Sequence, residues 1–474
     1  IPWRQASLPL SPPSLSAGAR TCMRAQPTLN AREGAQPPAP FHRVLTERIP
    51  CMPSRVDDDP SPSVAEPPGS LDDDDETERG RGLSESQPST AGEPLVVTGT
   101  DSYFVPLRLA CESKLPRIME LALTCIKILI DYGYVRGKVV QVGKVRRYMI
   151  DVVMETICSC KDQEDESVQL NIIKAVHTAV ASPVLAVHET TLLLAVKTCF
   201  YIYLVSRTPV IQSTANSTLT QMLNEVFKRL EFGPSNVSPS ALSVIQRDAF
   251  LVFRSLCKLS MKPLPEPLPS DDSIELRSKL LSLQLLYSII QNSGARFRST
   301  EKFVWAVRQY LCVSLLKNGV SPIASILQLS LDLFVAVIRF FKDHLKSEIG
   351  VFFSNILLRI LESSNSSGAQ KQHTVQCLRT LVREPQLIVD LFVNYDCDLE
   401  ATNILSNMCD GLSRLTISPN PLTDSVEQDA SLKALSLETL VAITDSMVAW
   451  EREARQGHPP SSTRAQPAAS VAEE

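Results

Sequence analysis

Val393-Asn394-Tyr395-Asp396-Cys397-Asp398 sets an amide, a phenol, a thiol and two acids side by side in an otherwise apolar helical text. Two carboxylates this close suit a metal or an acid–base pair, but no nearby His or third acid completes such a constellation. The plainer reading is a helix stop followed by a helix start. The apolar run Leu387-Ile388-Val389-Asp390-Leu391-Phe392 ends at Asn394. Asp396 or Asp398 then caps a helix over Leu399–Leu415, its carboxylate bonding free N–H groups and meeting the positive end of the dipole. A third reading is a contact surface. Residue chemistry leaves the three open.

Elsewhere the text is poor in reactive apparatus. It has no phosphate-cradling glycine loop, no His-Glu-x-x-His and no nucleophile elbow. The six His are scattered, with His177 and His188 flanking helices and His344 and His373 near helix ends. Cys158 and Cys160 form a C-x-C, but those side chains diverge on a helix, and no second pair completes a zinc set. The expectation is therefore no catalytic residue, no metal and no cofactor. A basic stretch, Arg136, Lys138, Lys144, Arg146 and Arg147, falls in the loop after Gly133 and at the following helix start. It is either a solvated loop or an electrostatic contact for a membrane surface or an acidic partner.

The elements that position these residues are helices. The 474 residues are 44% hydrophobic yet only 6% aromatic, so Leu, Ile, Val and Ala fill the core. A net charge of −5 gives no global pull towards nucleic acid. Most of the twelve Cys sit in apolar runs, as small core residues of a reducing compartment. Residues 1–96 hold roughly half of the 33 prolines and two acidic runs, and are expected to be disordered. The chain begins with Ile, so a fragment or an incomplete gene model is expected.

From residue 101 the pattern is helix after helix. Pro116 opens one whose stripe is Ile118, Leu121, Ala122, Cys125, Ile126 and Leu129, ended by Tyr132-Gly133. Further helices are expected from Tyr148 to Ala181, from His188 to Glu231, and from Leu242 to Glu453. Thr190–Val205 and Ile323–Phe341 are apolar enough to question as membrane spans, but Lys197, Asp332 and Arg339 interrupt them, which favours buried helices. Helices joined by short turns and apolar on several sides predict an all-α, irregular armadillo- or HEAT-like solenoid. The expected divisions are 97–232, a short linker 233–241, 242–453, and a disordered tail 454–474.

Three segments in order carry a family resemblance. Tyr103–Gly133 with Val168–Glu231 is similar to the DCB (dimerisation and cyclophilin-binding) domain of the large Arf guanine-nucleotide exchange factors, brefeldin A-inhibited subfamily. Asp248–Lys262 with Tyr310–Val320 resembles the start of their HUS domain, the homology region upstream of the catalytic domain. Val389–Asn403 (VDLFVNYDCDLEATN) resembles the HUS box.

The resemblance implies a non-catalytic regulatory module. Its expected partners are Arf and Arf-like GTPases, a second copy through the DCB-like region, and the Golgi membrane surface, with no nucleic acid. It also implies a cytoplasmic protein peripheral to Golgi and trans-Golgi membranes, in which Asn394, Tyr395, Asp396, Cys397 and Asp398 stabilise the DCB–HUS arrangement. The alternatives are the truncated front of a complete exchange factor and a stand-alone trafficking scaffold. The linker near Gly233 is far shorter than the family's usual one.

Overall fold

A computed structural model describes residues 104–135, 139–142, 145–185, 187–232, 239–265, 273–417 and 425–456. The expected disordered segment 1–96, most of the linker 233–241 and most of the tail lie outside the described residues, as do Arg136, Lys138 and Lys144.

The first half comprises α1 (Phe104–Glu112), α2 (Pro116–Asp131), a hairpin of β1 (Val139–Val142) and β2 (Val145–Tyr148), α3 (Met149–Ser159), α4 (Glu166–Ala181), α5 (Glu189–Val205) and α6 (Pro209–Phe232). The second half opens with α7 (Pro239–Ser260), α8 (Ile274–Asn292), α9 (Ala295–Ser299), α10 (Glu301–Ala306), α11 (Cys312–Asn318) and α12 (Ala324–Phe341). It continues with α13 (Lys346–Phe352), α14 (Arg359–Glu362), α15 (Gly368–Val382), α16 (Pro385–Leu391), α17 (Ile404–Ile417) and α18 (Val426–Arg455). Helix starts carry the expected chemistry: Asp165 accepts from Val168 N at 3.0 Å, and Ser367 and Gln370 form a reciprocal capping box. Gly133 at φ +67° closes α2, as a left-handed residue after a helix must.

Successive helices pack on near neighbours in the chain: α2 on α1 and α4, α5 on α6, α7 on α8, α8 on α12, α12 on α15 and α15 on α18. This is the packing of an all-α helical solenoid. Aliphatic side chains fill most of the core, with an aromatic node between the halves. The Phe297 ring of the five-residue α9 lies 5.3, 5.6, 4.7 and 6.0 Å from Phe227, Phe253, Phe303 and Phe341, drawn from α6, α7, α10 and α12. That node joins the two halves.

Three expectations are corrected. The basic loop is a short antiparallel hairpin, in which Arg146 pairs with Gln141 and Arg147 with Val140. On α2 the buried face is Met119, Ala122, Leu123, Ile126 and Ile130, while Ile118 and Leu121 are 43% and 67% exposed. The apolar arc of that helix is wide enough to hold both sets, so spacing alone did not choose between its two faces. The helix expected from Leu399 starts at Ile404. Among the described residues one helix, Ala324–His344, is long and apolar enough to cross a membrane by length and composition, and over half of that window is buried in protein.

Candidate functional site

The box begins inside a helix. α16 runs into a widened π turn over Phe392–Asp396, where Cys397 N bonds Phe392 O at 2.9 Å. The extra residue in that turn turns both Asn394 and Tyr395 inward, to 1% and 3% exposure. Asn394 Nδ2 donates to Asp390 O at 2.8 Å. The Tyr395 hydroxyl donates to Lys346 O at 2.6 Å, at the start of α13. Its ring lies against Gly350, where an added Cβ would sit 3.0 Å from the ring. Burial, together with the Glu348 carboxylate, pushes the Tyr395 phenol well above its ordinary pKa.

The two carboxylates point to different partners. Asp396 accepts from Leu405 N and Ser406 N, both at 2.9 Å, so both oxygens cap α17 from nine residues upstream. Asp398 takes Lys346 Nζ at 3.0 Å and Glu400 N at 3.2 Å. The Lys346 ammonium also stands 5.9 Å from the Tyr395 ring centroid. Cys397 is exposed and Leu399 fully so, in the turn between the helices. Of the two carboxylates that sequence offered as the cap, Asp396 is the one that caps the helix. Sequence placed the capped helix too early, because Asp398 folds residues 398–401 into a turn before the helix starts.

One turn upstream, Asp390 is completely buried on an apolar helix and takes Lys342 Nζ at 2.7 Å and Gln386 Nε2 at 2.7 Å. Trp450 Nε1 donates to Gln386 Oε1 at 3.0 Å, tying in α18. An aspartate inside the run Leu387–Phe392 was the sequence signal for this group. A buried carboxylate requires a cation or donors. Chemically the box is a brace: its groups are spent on helix ends and on one another. Among the described residues, no group of three His, Cys, Asp or Glu is placed to hold a metal.

Sequence reasoning missed a second polar cluster, at the junction of the halves. Glu231, near the end of α6, accepts from Arg296 N and Phe297 N, both at 2.8 Å, and so caps α9. Gly294 leaves room for that carboxylate, since a Cβ there would lie 2.4 Å from it. On α7, buried Asp248 accepts from Glu189 N at 2.6 Å and bonds His188 Nδ1 at 2.5 Å, and Arg247 pairs with Glu189. Arg277 of α8 donates to Tyr203 O at 2.7 Å. Deeper in the second half, Lys279 is buried, donating to Ser260 O at 2.7 Å and Asn318 Oδ1 at 3.0 Å. Burial and nearby Lys317 lower its pKa.

Comparison with known proteins finds two family models along the chain. A family model described as Mon2/Sec7/BIG1-like, dimerisation and cyclophilin-binding domain, matches residues 81–233. A second, described as Mon2/Sec7/BIG1-like, HUS domain, matches residues 245–404, which include the box. The chain is 32% identical to brefeldin A-inhibited guanine nucleotide-exchange protein 1 of Rattus norvegicus, over 549 aligned positions covering 74% of this chain. The same protein of Homo sapiens is also 32% identical, and protein 2 of Arabidopsis thaliana is 30% identical over 77% of this chain.

The chain spans 30% of the length of the rat relative and 28% of the Arabidopsis one. Both alignments are longer than the 474 residues of this chain, so the relatives carry stretches without a counterpart here. Among solved structures, an engineered protein matches at 14% identity with a TM-score of 0.28, over 74% of this chain and 79% of its own, which carries no argument. On the two family matches and these relatives, the chain belongs to the large Arf guanine-nucleotide exchange factors of the brefeldin A-inhibited type, matching their DCB and HUS regions.

Proposed function

We propose that this chain is a regulatory module that controls Arf activation through protein contacts and performs no nucleotide exchange itself. The observation that supports this reading best is the use of its polar groups. The two clusters that could carry chemistry, the box and the α6–α9 junction, are occupied in holding helix ends. Rigid stacked helices of this kind offer long surfaces for other proteins. The partners we assign are a second copy of the chain through its DCB region, and Arf or Arf-like GTPases that recruit it to Golgi and trans-Golgi membranes from the cytoplasm. Arg146 and Arg147 on β2, with neighbouring Lys138 and Lys144, supply an electrostatic contact to the anionic membrane surface. By fixing α13, α16 and α17 against one another, the box preserves the surface through which the HUS region meets the DCB region.

The test is gel filtration of the 474-residue chain with Arf-family GTPases in each nucleotide state, alongside release of a fluorescent guanine nucleotide. The expected result is co-elution with the GTP-loaded form only and an unchanged release rate. Accelerated release would overturn the non-catalytic assignment, and equal or absent binding in both states would overturn recruitment by the GTPase.

A further inference from the structure

The second apolar face of α2 is laid out for a twofold partner. Ile118, Leu121, Cys125, Ile128 and Tyr132 follow a 3-4-3-4 spacing, which draws one straight seam along a helix. Four of them are exposed, at 43%, 67%, 45% and 74% for Ile118, Leu121, Ile128 and Tyr132, and Cys125 is half-buried. The face lies well round the helix from the residues that pack on α1 and α4, so packing among the described residues leaves it exposed.

We propose that this seam pairs antiparallel with the α2 seam of a second copy, an inference that rests on the self-association in the function proposed above. Two features argue for that occupant. The first is apolar register. Running antiparallel about a twofold axis, the seam sets Ile118 opposite Ile128 and Leu121 opposite Cys125, and the same pairs recur in reverse, as an isologous interface requires. The second is charge. Arg117 and Asp131 lie in the row that borders the seam, and in this register Arg117 of one copy stands level with Asp131 of the other. In the next row out, Glu120 stands level with Lys127. A parallel pair would instead set the row of Arg117 and Asp131 against the row of Ala122 and Leu129 on the other side of the partner's seam, where neither charge finds an opposite. Asp131 now takes Lys127 of its own helix at 3.2 Å, leaving it exposed enough to accept a second cation. The family description of residues 81–233 as a dimerisation domain agrees with the choice of a second copy.

Sedimentation equilibrium on the full chain tests this, with circular dichroism as a control for folding. Leu121 is exposed in the monomer, so Leu121→Asp leaves the helix content unchanged and weakens the dimer by about a hundredfold, as expected for a charge set at the centre of an interface. Arg117→Asp alone disturbs two symmetric ion pairs and weakens it by about tenfold. Combining Arg117→Asp with Asp131→Arg restores the affinity. A wild-type chain that stays monomeric would remove the self-association reading and the seam together. A wild-type dimer that Leu121→Asp leaves intact would keep self-association and overturn the seam. Loss on single substitution without recovery in the charge swap would overturn the antiparallel register. Amide exchange across Pro116–Asp131 that slows with rising protein concentration supports a second copy. Protection independent of concentration would place another part of the same chain on the seam, which overturns the proposal.

Discussion

Tyr395 combines a ring packed on Gly350, a hydroxyl bound to Lys346 O and a cation near its face. Tyr395→Phe removes only the hydrogen bond, so unfolding in denaturant should show a loss of about 1 kcal/mol. Tyr395→Ala also empties a buried aromatic site and should cost about 3–5 kcal/mol. The phenol adds a pH dependence whose sign is fixed. Its folded pKa is raised, so the folded state keeps a proton that the unfolded chain has lost. The contribution is complete below the unfolded phenol value of about 10 and fades as the pH climbs from there towards the folded value. The stability difference between wild type and Tyr395→Phe should therefore shrink in strong alkali. A constant difference would show that the phenol is not shifted. A capping carboxylate at Asp396 or Asp398 was readable in the sequence, because both follow a helix stop, and the structure gives the cap to Asp396. The partnership of Asp398 and Tyr395 with Lys346 was not, since that residue lies 52 positions from Asp398 and nothing local announces it.

Among the elements, α9 is the least independent. Five residues make too short a helix to hold itself, and its N-terminal N–H groups are satisfied by Glu231 from α6. Glu231→Ala should cost about 1–2 kcal/mol, in the range of a lost helix cap. Gly294→Ala should reproduce part of that loss, because the new Cβ would displace the same carboxylate. Thermal melts of the two single variants and the double variant check the linkage. Full additivity would mean that Gly294 and Glu231 act separately. Long helices such as Glu166–Ala181 and Ile274–Asn292 were legible to the residue, because their apolar spacing and their Asp165 and Ser273 caps agree. The short α9 carries no period, and the hairpin β1–β2 is too brief for its alternation to stand out from the helical text around it.

For the molecule as a whole, stability in a helical stack is a sum over neighbouring contacts, so it is greatest where most helices meet. Amide exchange should be slowest around Phe297, where five rings from five helices converge, and faster in α1, which packs chiefly on α2. Uniform protection would contradict a stack of this kind. Solenoid architecture was readable from helix lengths and apolar content. Which helices close the junction was not, because Glu231, Asp248 and Arg277 look like ordinary surface charges until the opposing helix is in place.

Among the described residues, the contacts at that junction are made by side chains far from the connection in sequence as well as beside it. Phe227 reaches Phe297, Glu231 reaches α9, and Asp248 reaches back to α5. If the backbone were cut between residues 232 and 239, the two pieces should still recognise each other and elute as one species. Pieces mixed after separate expression should complement one another to give the same particle. The division between the two family regions is then a seam in the gene text more than in the folded protein, and the first region would serve as the template on which the second completes α9.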